Sequence, residues 1–200
     1  WDGRFVNTGD QSTVQLEQKF LCPARRPTPG RARFVSELLA LVPDVRVSFG
    51  SGFADASQDF QSYFPDHQLP ILFDGDARQY VHNLASKVFQ TCLFNIIIET
   101  SSQSDPNSWS SIFITEKTFK CFPLKHPFIL LGRPYLLQEL RRIGYKTFSP
   151  YIDESYDQIE NHYERILAVN NSFINFISKP IEEIQQIYIQ CLPIIEHNKQ

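Results

Sequence analysis

Apolar residues follow two patterns along this chain, and each pattern predicts a different kind of element. Short, continuous apolar runs bounded by Gly, Pro or polar residues predict strands. The run that begins at Leu93 is rich in Ile and, except for Asn95, stays apolar up to Glu99, which is typical of a strand buried on both faces, as in a parallel sheet. The predicted strands are Lys19–Cys22, Val45–Phe49, Leu93–Thr100, Pro127–Leu131 and Lys146–Ser149.

Apolar residues spaced three or four positions apart predict the helices. Thr115 can cap one of them, Gly144 can end another, and Ser155 with Gln158 three residues on has the spacing of a capping box. Pro193 should kink or loosen the end of the last helix. The predicted helices begin near Arg31, Ala77, Thr115, Tyr135, Ser155 and Lys179.

Strands and helices alternate from residue 19 to residue 149. This order predicts an α/β fold with a parallel, Rossmann-like sheet that is covered by helices on both faces. Residues 1–18 are polar and lack periodicity, so we expect an irregular entry segment there. We expect residues 19–155 to form the Rossmann-like domain and residues 156–200 to form helices that pack on it. The chain has no Met and opens with Trp1, so we expect a piece of a longer protein.

Composition and charge argue against several classes of partner. The chain has 200 residues and a formal net charge of −3, so no global basic field is present and we expect no nucleic acid partner. It has no run of 18 apolar residues, so we expect no membrane span in it. The five histidines are scattered, and we expect neither a metal site nor a cofactor. The four cysteines predict buried free thiols, which favours a reducing compartment such as the cytoplasm.

The chemistry of the sequence concentrates where predicted strands end and helices begin. In open α/β sheets, ligands bind outside the carboxyl ends of the strands. Glu99 lies at the end of the most apolar predicted strand, and Thr115, Glu116 and Lys117 lie at the start of the next predicted helix. Glu116 can accept two hydrogen bonds from a ribose diol, and Lys117 suits a phosphate. The alternative is structural, because acidic residues are common in the first turn of any helix.

Three stretches of the chain resemble the α1,3/4-fucosyltransferase family: Phe94–Ser101, Phe113–Phe119 and His126–Gly132. Their counterparts in that family are a strand ending in Glu-Asn-Ser, a helix opening with Thr-Glu-Lys, and a strand of the type Val-Pro-Ile-Val-x-Gly. The chain departs from the first motif, because Thr100 stands where the family has Asn. A looser group of viral and bacterial fucosyltransferase-like proteins is similar over residues 20–175.

The resemblance implies a GT-B glycosyltransferase, with this chain as its C-terminal, donor-binding half. It implies that Glu116 binds the ribose and Lys117 the diphosphate, and that Glu99 belongs to the same donor site. Arg31 opens the pattern Arg-x-x-Phe-x-x-x-Leu, which implies a second contact to the diphosphate. The implied partners are a nucleotide diphospho-sugar, with a GDP-sugar favoured, and a glycan or other acceptor.

The implied reaction is an inverting transfer without a metal. The family's general base lies on an N-terminal acceptor domain, which we do not find before Lys19, so the catalytic residues stay unassigned. Two other interpretations remain open. One is a non-catalytic sugar-nucleotide-binding module or degenerate transferase half, and the other is an α/β scaffold whose motif residues are structural.

Overall fold

Within the residues that the structure describes, four strands form one sheet. The computed structural model describes residues 18–24, 27–42, 45–50, 59–71, 92–99 and 114–199. The strands are β1 (Gln18–Ala24), β2 (Val45–Phe49), β3 (Cys92–Ile98) and β4 (Phe128–Leu131), in the order β2-β1-β3-β4. β1 pairs with β2, and β3 with β4, both in parallel. The predicted Rossmann-like α/β fold is confirmed.

Five helices lie within the described residues. They are α1 (Pro29–Leu41), α2 (Glu116–Lys120), α3 (Leu136–Arg142), α4 (His162–Ile177) and α5 (Ile181–Asn198). Short 3-10 turns cover Gln61–Tyr63 and Ser155–Gln158. α5 continues through Pro193, and a kink or a loosened end there stays a prediction. The helix predicted from Ala77 and the entry segment before residue 18 lie outside the described residues.

The chain divides into two compact units, Trp1–Leu93 and Phe94–Gln200. In the first unit, α1 begins after Thr28, whose hydroxyl accepts a hydrogen bond from Arg31 N at 3.3 Å. Pro29 stands in the first turn of α1, where a missing N–H costs nothing. Phe49, at the end of β2, packs against the rings of Phe60 and Phe64. These contacts give the first unit an apolar core of its own.

In the second unit, the two faces of β3 contact different helices. Side chains alternate between the faces of a strand, so Asn95 and Glu99 share one face and Phe94 lies on the other. Phe94 packs edge-on against Phe176 of α4, at 4.9 Å between ring centroids, and lies 6.2 Å from Tyr188 of α5. Asn95 and Glu99 contact α2 and its ends. This explains why every residue of β3 is buried and why its sequence is almost entirely apolar.

Asp157 caps α3 from outside that helix. Tyr135 occupies the N-cap position with a left-handed backbone (φ 64°) and forms no side-chain cap. The Asp157 carboxylate instead accepts hydrogen bonds from Leu137 N and Gln138 N, both at 2.9 Å. The carbonyl of Asp157 also accepts from Tyr135 N at 2.6 Å. Asp157 therefore fixes the path of the chain between β4 and α3.

The prediction that a helix begins at Ser155 is wrong. Residues 155–158 form only a 3-10 turn, and α4 begins after Asn161, whose side chain accepts from two backbone N–H groups. The Asp157 carboxylate accepts from the backbone of α3. The carbonyls of Ile159 and Glu160 accept from the Arg165 guanidinium, and not from the N–H groups of a following helical turn. The capping-box spacing of Ser155 and Gln158 does not outweigh these contacts.

The predicted strand Lys146–Ser149 is also wrong. Asn198, at the end of α5, accepts from Lys146 N and donates to Lys146 O, each at 2.8 Å. Glu154 accepts from Phe148 N at 2.8 Å. Side chains thus satisfy the backbone groups that a strand would have offered to a neighbouring strand.

We predict that Asp157→Ala lowers the free energy of unfolding by about 1–3 kcal/mol, because two helix N–H groups lose a charged acceptor. Asp153→Ala is the matched control, because Asp153 is exposed and its carboxylate accepts from Ser155 N, whereas its carbonyl, which accepts from the Ser172 hydroxyl, is kept in the variant. Urea unfolding followed by circular dichroism measures both. Equal effects of the two substitutions would contradict the capping role of Asp157.

Candidate functional site

Glu99 lies buried at the carboxyl end of β3, with only 1% of its surface exposed. Its backbone N–H donates to Leu131 O at 2.9 Å, so it continues the pairing with β4. Its carboxylate accepts three hydrogen bonds at the start of α2: from Thr115 N at 3.0 Å, from the Thr115 hydroxyl at 2.6 Å and from the Thr118 hydroxyl at 2.7 Å. The side chain is thus turned toward the polypeptide and away from solvent.

Thr115 is the N-cap of α2, as the sequence predicts. Its hydroxyl donates to Glu99 and accepts from Lys117 N at 3.3 Å and from Lys117 Nζ at 3.1 Å. A hydroxyl has one proton to donate and two lone pairs, so these three contacts use its full capacity. Thr115 is 7% exposed and connects the buried carboxylate to the lysine.

Lys117 places a positive charge beside this carboxylate. Its Nζ lies 3.7 Å from Glu99 Oε2, and its side chain is 23% exposed, against 1% for the glutamate. A pair that is this asymmetric in exposure leaves the lysine accessible from solvent while its counter-charge is shielded. Part of the Lys117 side chain is therefore open to solvent, whereas the Glu99 carboxylate is not.

Glu116 differs from Glu99 in exposure and in contacts. It is exposed, and no described residue donates a hydrogen bond to its side chain. Burial lowers the pKa of Lys120, one turn further along α2, and the negative charge of Glu116 opposes that shift. Glu116 is therefore a carboxylate that faces solvent next to Lys117, as a contact to ligand hydroxyls requires.

The other end of α2 is attached to the same strand. The Cys121 thiol donates to Lys117 O at 3.4 Å and accepts from the Asn95 side-chain amide at 3.3 Å. Burial raises the pKa of this thiol to about 12, so it stays protonated and can keep donating. β3 thus holds both ends of α2, through Glu99 at its start and Asn95 at its end.

Arg31 belongs to the first unit and is buried, with 2% exposure. It lies in the first turn of α1, where the predicted pattern begins. Burial raises the pKa of the Cys22 thiol in β1 to about 12, and the positive charge of Arg31 opposes that rise. The contact between Arg31 and a diphosphate stays a prediction.

Thr118 is a member of this site that the sequence motifs did not predict. It is fully buried, and its hydroxyl donates to Glu99. The signal was available: Thr115 and Thr118 are three residues apart, a spacing that places two side chains on one face of a helix. That spacing, just after a strand that ends in a carboxylate, identifies both hydroxyls as its donors.

All four cysteines are buried free thiols, as predicted. Across the described ranges, no three His, Cys, Asp or Glu side chains cluster closely enough to hold a metal ion. None of the described helices combines the length and the apolar character that a bilayer crossing requires.

We predict that Glu99→Ala lowers the free energy of unfolding by about 3 kcal/mol or more, because the Thr115 and Thr118 donors lose their acceptor and Lys117 loses its counter-charge. Glu116→Ala, on the exposed neighbour, should cost less than about 1 kcal/mol. Urea unfolding of both variants measures the difference. A Glu99→Ala variant as stable as Glu116→Ala would show that the buried network contributes nothing to stability.

Comparison with known proteins adds no relative to this picture. No family model, no curated protein and no solved structure matches the chain. The function is therefore inferred from the motifs quoted above and from the geometry around Glu99, Thr115 and Lys117.

Proposed function

We propose that this chain is the donor-binding half of a fucosyltransferase-like glycosyltransferase, which transfers a sugar from a nucleotide diphospho-sugar to a glycan or other acceptor. The observation that carries the proposal is the arrangement at the carboxyl end of β3. An accessible lysine and an exposed glutamate stand side by side on a turn that a buried carboxylate holds in place. Ligands of open α/β sheets bind at this edge.

Each of the two accessible groups matches one part of such a donor. The Lys117 ammonium would pair with the diphosphate, and the Glu116 carboxylate would accept hydrogen bonds from the ribose hydroxyls. Thr115 would hold Lys117 in place through its hydroxyl, which accepts from the ammonium. A GDP-sugar is the favoured donor, on the resemblance to fucosyltransferases.

The chemistry of transfer explains why a lysine belongs here. When the bond between the sugar and the diphosphate breaks, negative charge builds up on the departing diphosphate. A cation already in position stabilises that charge more in the transition state than in the ground state, and so accelerates the reaction. Lys117 would supply this charge, and the general base would come from the acceptor-binding half.

A second candidate is a sugar-nucleotide-binding module without catalysis. It is favoured by the state of Glu99, whose two carboxylate oxygens are engaged by Thr115 and Thr118 and whose side chain is 1% exposed. Such a carboxylate is not placed to remove a proton from an acceptor, so transfer would depend on a base from another part of the protein, whereas binding would not. Release of GDP from GDP-fucose, measured with this chain and with any longer protein that contains it, separates the candidates: turnover supports the enzyme, and binding without turnover supports the module.

We predict that GDP binds to the 200-residue chain more tightly than UDP in titration calorimetry. Lys117→Ala and Glu116→Ala should each weaken GDP binding by roughly 1.5–3 kcal/mol, because each removes a charge-assisted hydrogen bond. Lys146→Ala is the matched control, since Lys146 is exposed and only its backbone is bound, by Asn198. Thermal unfolding should remain cooperative in all three variants.

Two results would contradict the proposal. If wild-type protein binds neither GDP nor UDP, it is not a donor-binding domain for these nucleotides. If Lys117→Ala and Glu116→Ala bind GDP as tightly as Lys146→Ala does, the nucleotide site lies elsewhere.

A further inference from the structure

Thr118 is a buried polar residue that no ligand can touch. Its relative exposure is 0%, and it lies inside α2, between that helix and the end of β3. Its hydroxyl donates to Glu99 Oε1 at 2.7 Å, close to the shortest hydrogen bond of the network. Any effect of Thr118 on a ligand must therefore pass through another residue.

The hydrogen bonds define which residue that is. Thr118 and Thr115 N both donate to Glu99 Oε1, while the Thr115 hydroxyl donates to Oε2. The terminal torsion of a glutamate is soft, so a carboxylate with fewer donors turns easily. Donors on both oxygens fix its plane and keep Oε2 facing Thr115 and Lys117.

The fixed carboxylate then sets the position of the ammonium. Lys117 Nζ lies 3.7 Å from Glu99 Oε2 and donates to the Thr115 hydroxyl at 3.1 Å, the same hydroxyl that donates to Oε2. Thr118, Glu99, Thr115 and Lys117 thus form one chain of contacts that runs from a buried hydroxyl to an accessible charge. The hydrogen bonds from Lys117 to Thr115 and from Thr115 to Glu99 run head to tail, so these two strengthen each other.

We infer that Thr118 and Glu99 are positioning residues, which hold the Lys117 ammonium where it meets a ligand diphosphate without touching the ligand themselves. This rests on the proposed function and refines it, because it moves Glu99 from a ligand contact to a support of one. A lysine side chain that is already oriented loses less conformational freedom when the ligand binds.

The test removes the Thr118 hydroxyl without changing any charge. Thr118→Val keeps the shape of the side chain and loses the donor, whereas Thr118→Ser keeps the donor. We expect Thr118→Val to weaken GDP binding by roughly threefold to tenfold and Thr118→Ser to bind like wild type. Equal affinities of the two variants would overturn the inference.

A double-mutant cycle shows whether Thr118 acts through Lys117. With Lys117→Ala already present, Thr118→Val should have no further effect on GDP affinity. A purely structural loss would weaken GDP binding by the same factor in both backgrounds, and that result would overturn the inference. If Thr118→Val does not unfold cooperatively, Thr118→Ala takes its place in the cycle.

A second readout needs no nucleotide. After reductive methylation with ¹³C, the Lys117 dimethylamine gives an NMR signal that is assigned by its loss in Lys117→Arg. This signal should shift in Thr118→Val and stay in place in Thr118→Ser. If wild-type protein binds no GDP, the proposed function is wrong, whatever the NMR signal shows. If the Lys117 signal does not shift in Thr118→Val, the positioning role is wrong, whatever the protein binds.

Discussion

A carboxylate that is nearly sealed from solvent at the end of β3 is the constraint on which the candidate site depends. Burying a carboxylate is costly unless donors and a counter-charge compensate it. Glu99 obtains donors from Thr115 and Thr118 and a counter-charge from Lys117. All three partners are supplied by the start of α2, so satisfying the carboxylate places that short helix and its lysine at the carboxyl edge of the sheet.

β3, at whose carboxyl end Glu99 lies, holds α2 in position. β3 packs through Phe94 against α4 and α5 on one face and holds both ends of α2 on the other, through Glu99 and Asn95. α2 has only five residues and is too short to be stable by itself. Its geometry is therefore imposed by the strand, and Glu116 and Lys117 are presented by a rigid element instead of a free loop.

Much of the fold could be predicted from the sequence, because buried parallel strands and amphipathic helices have strong local patterns. β2 has the predicted bounds, and β1, β3 and β4 agree to within two residues at each end. The errors fall where distant side chains replace local signals. Asn198 binds the backbone of Lys146, which comes 52 positions earlier, and Asp157 caps a helix about 20 positions before it.

The sequence predicts which residues form the candidate site better than it predicts what each of them does. The motifs identify Glu99, Thr115, Glu116 and Lys117, and the structure brings Glu99, Thr115 and Lys117 into contact. A carboxylate at the end of a strand can face the ligand or turn back into the polypeptide, and sequence does not distinguish the two. Here the orientation of the Glu99 carboxylate depends on Thr118, which is 19 positions away and is indicated in the sequence only by its spacing of three residues from Thr115.

We propose that Lys117 contacts the diphosphate of a bound nucleotide and Glu116 its ribose, while Glu99 holds Lys117 in position. A crystal structure of the chain with bound GDP tests it most directly. The account predicts the diphosphate within hydrogen-bond distance of Lys117 Nζ, the ribose hydroxyls at Glu116, and Glu99 still bonded to Thr115 and Thr118. GDP bound away from α2, or a Glu99 carboxylate that leaves Thr118 to contact the nucleotide, would contradict it.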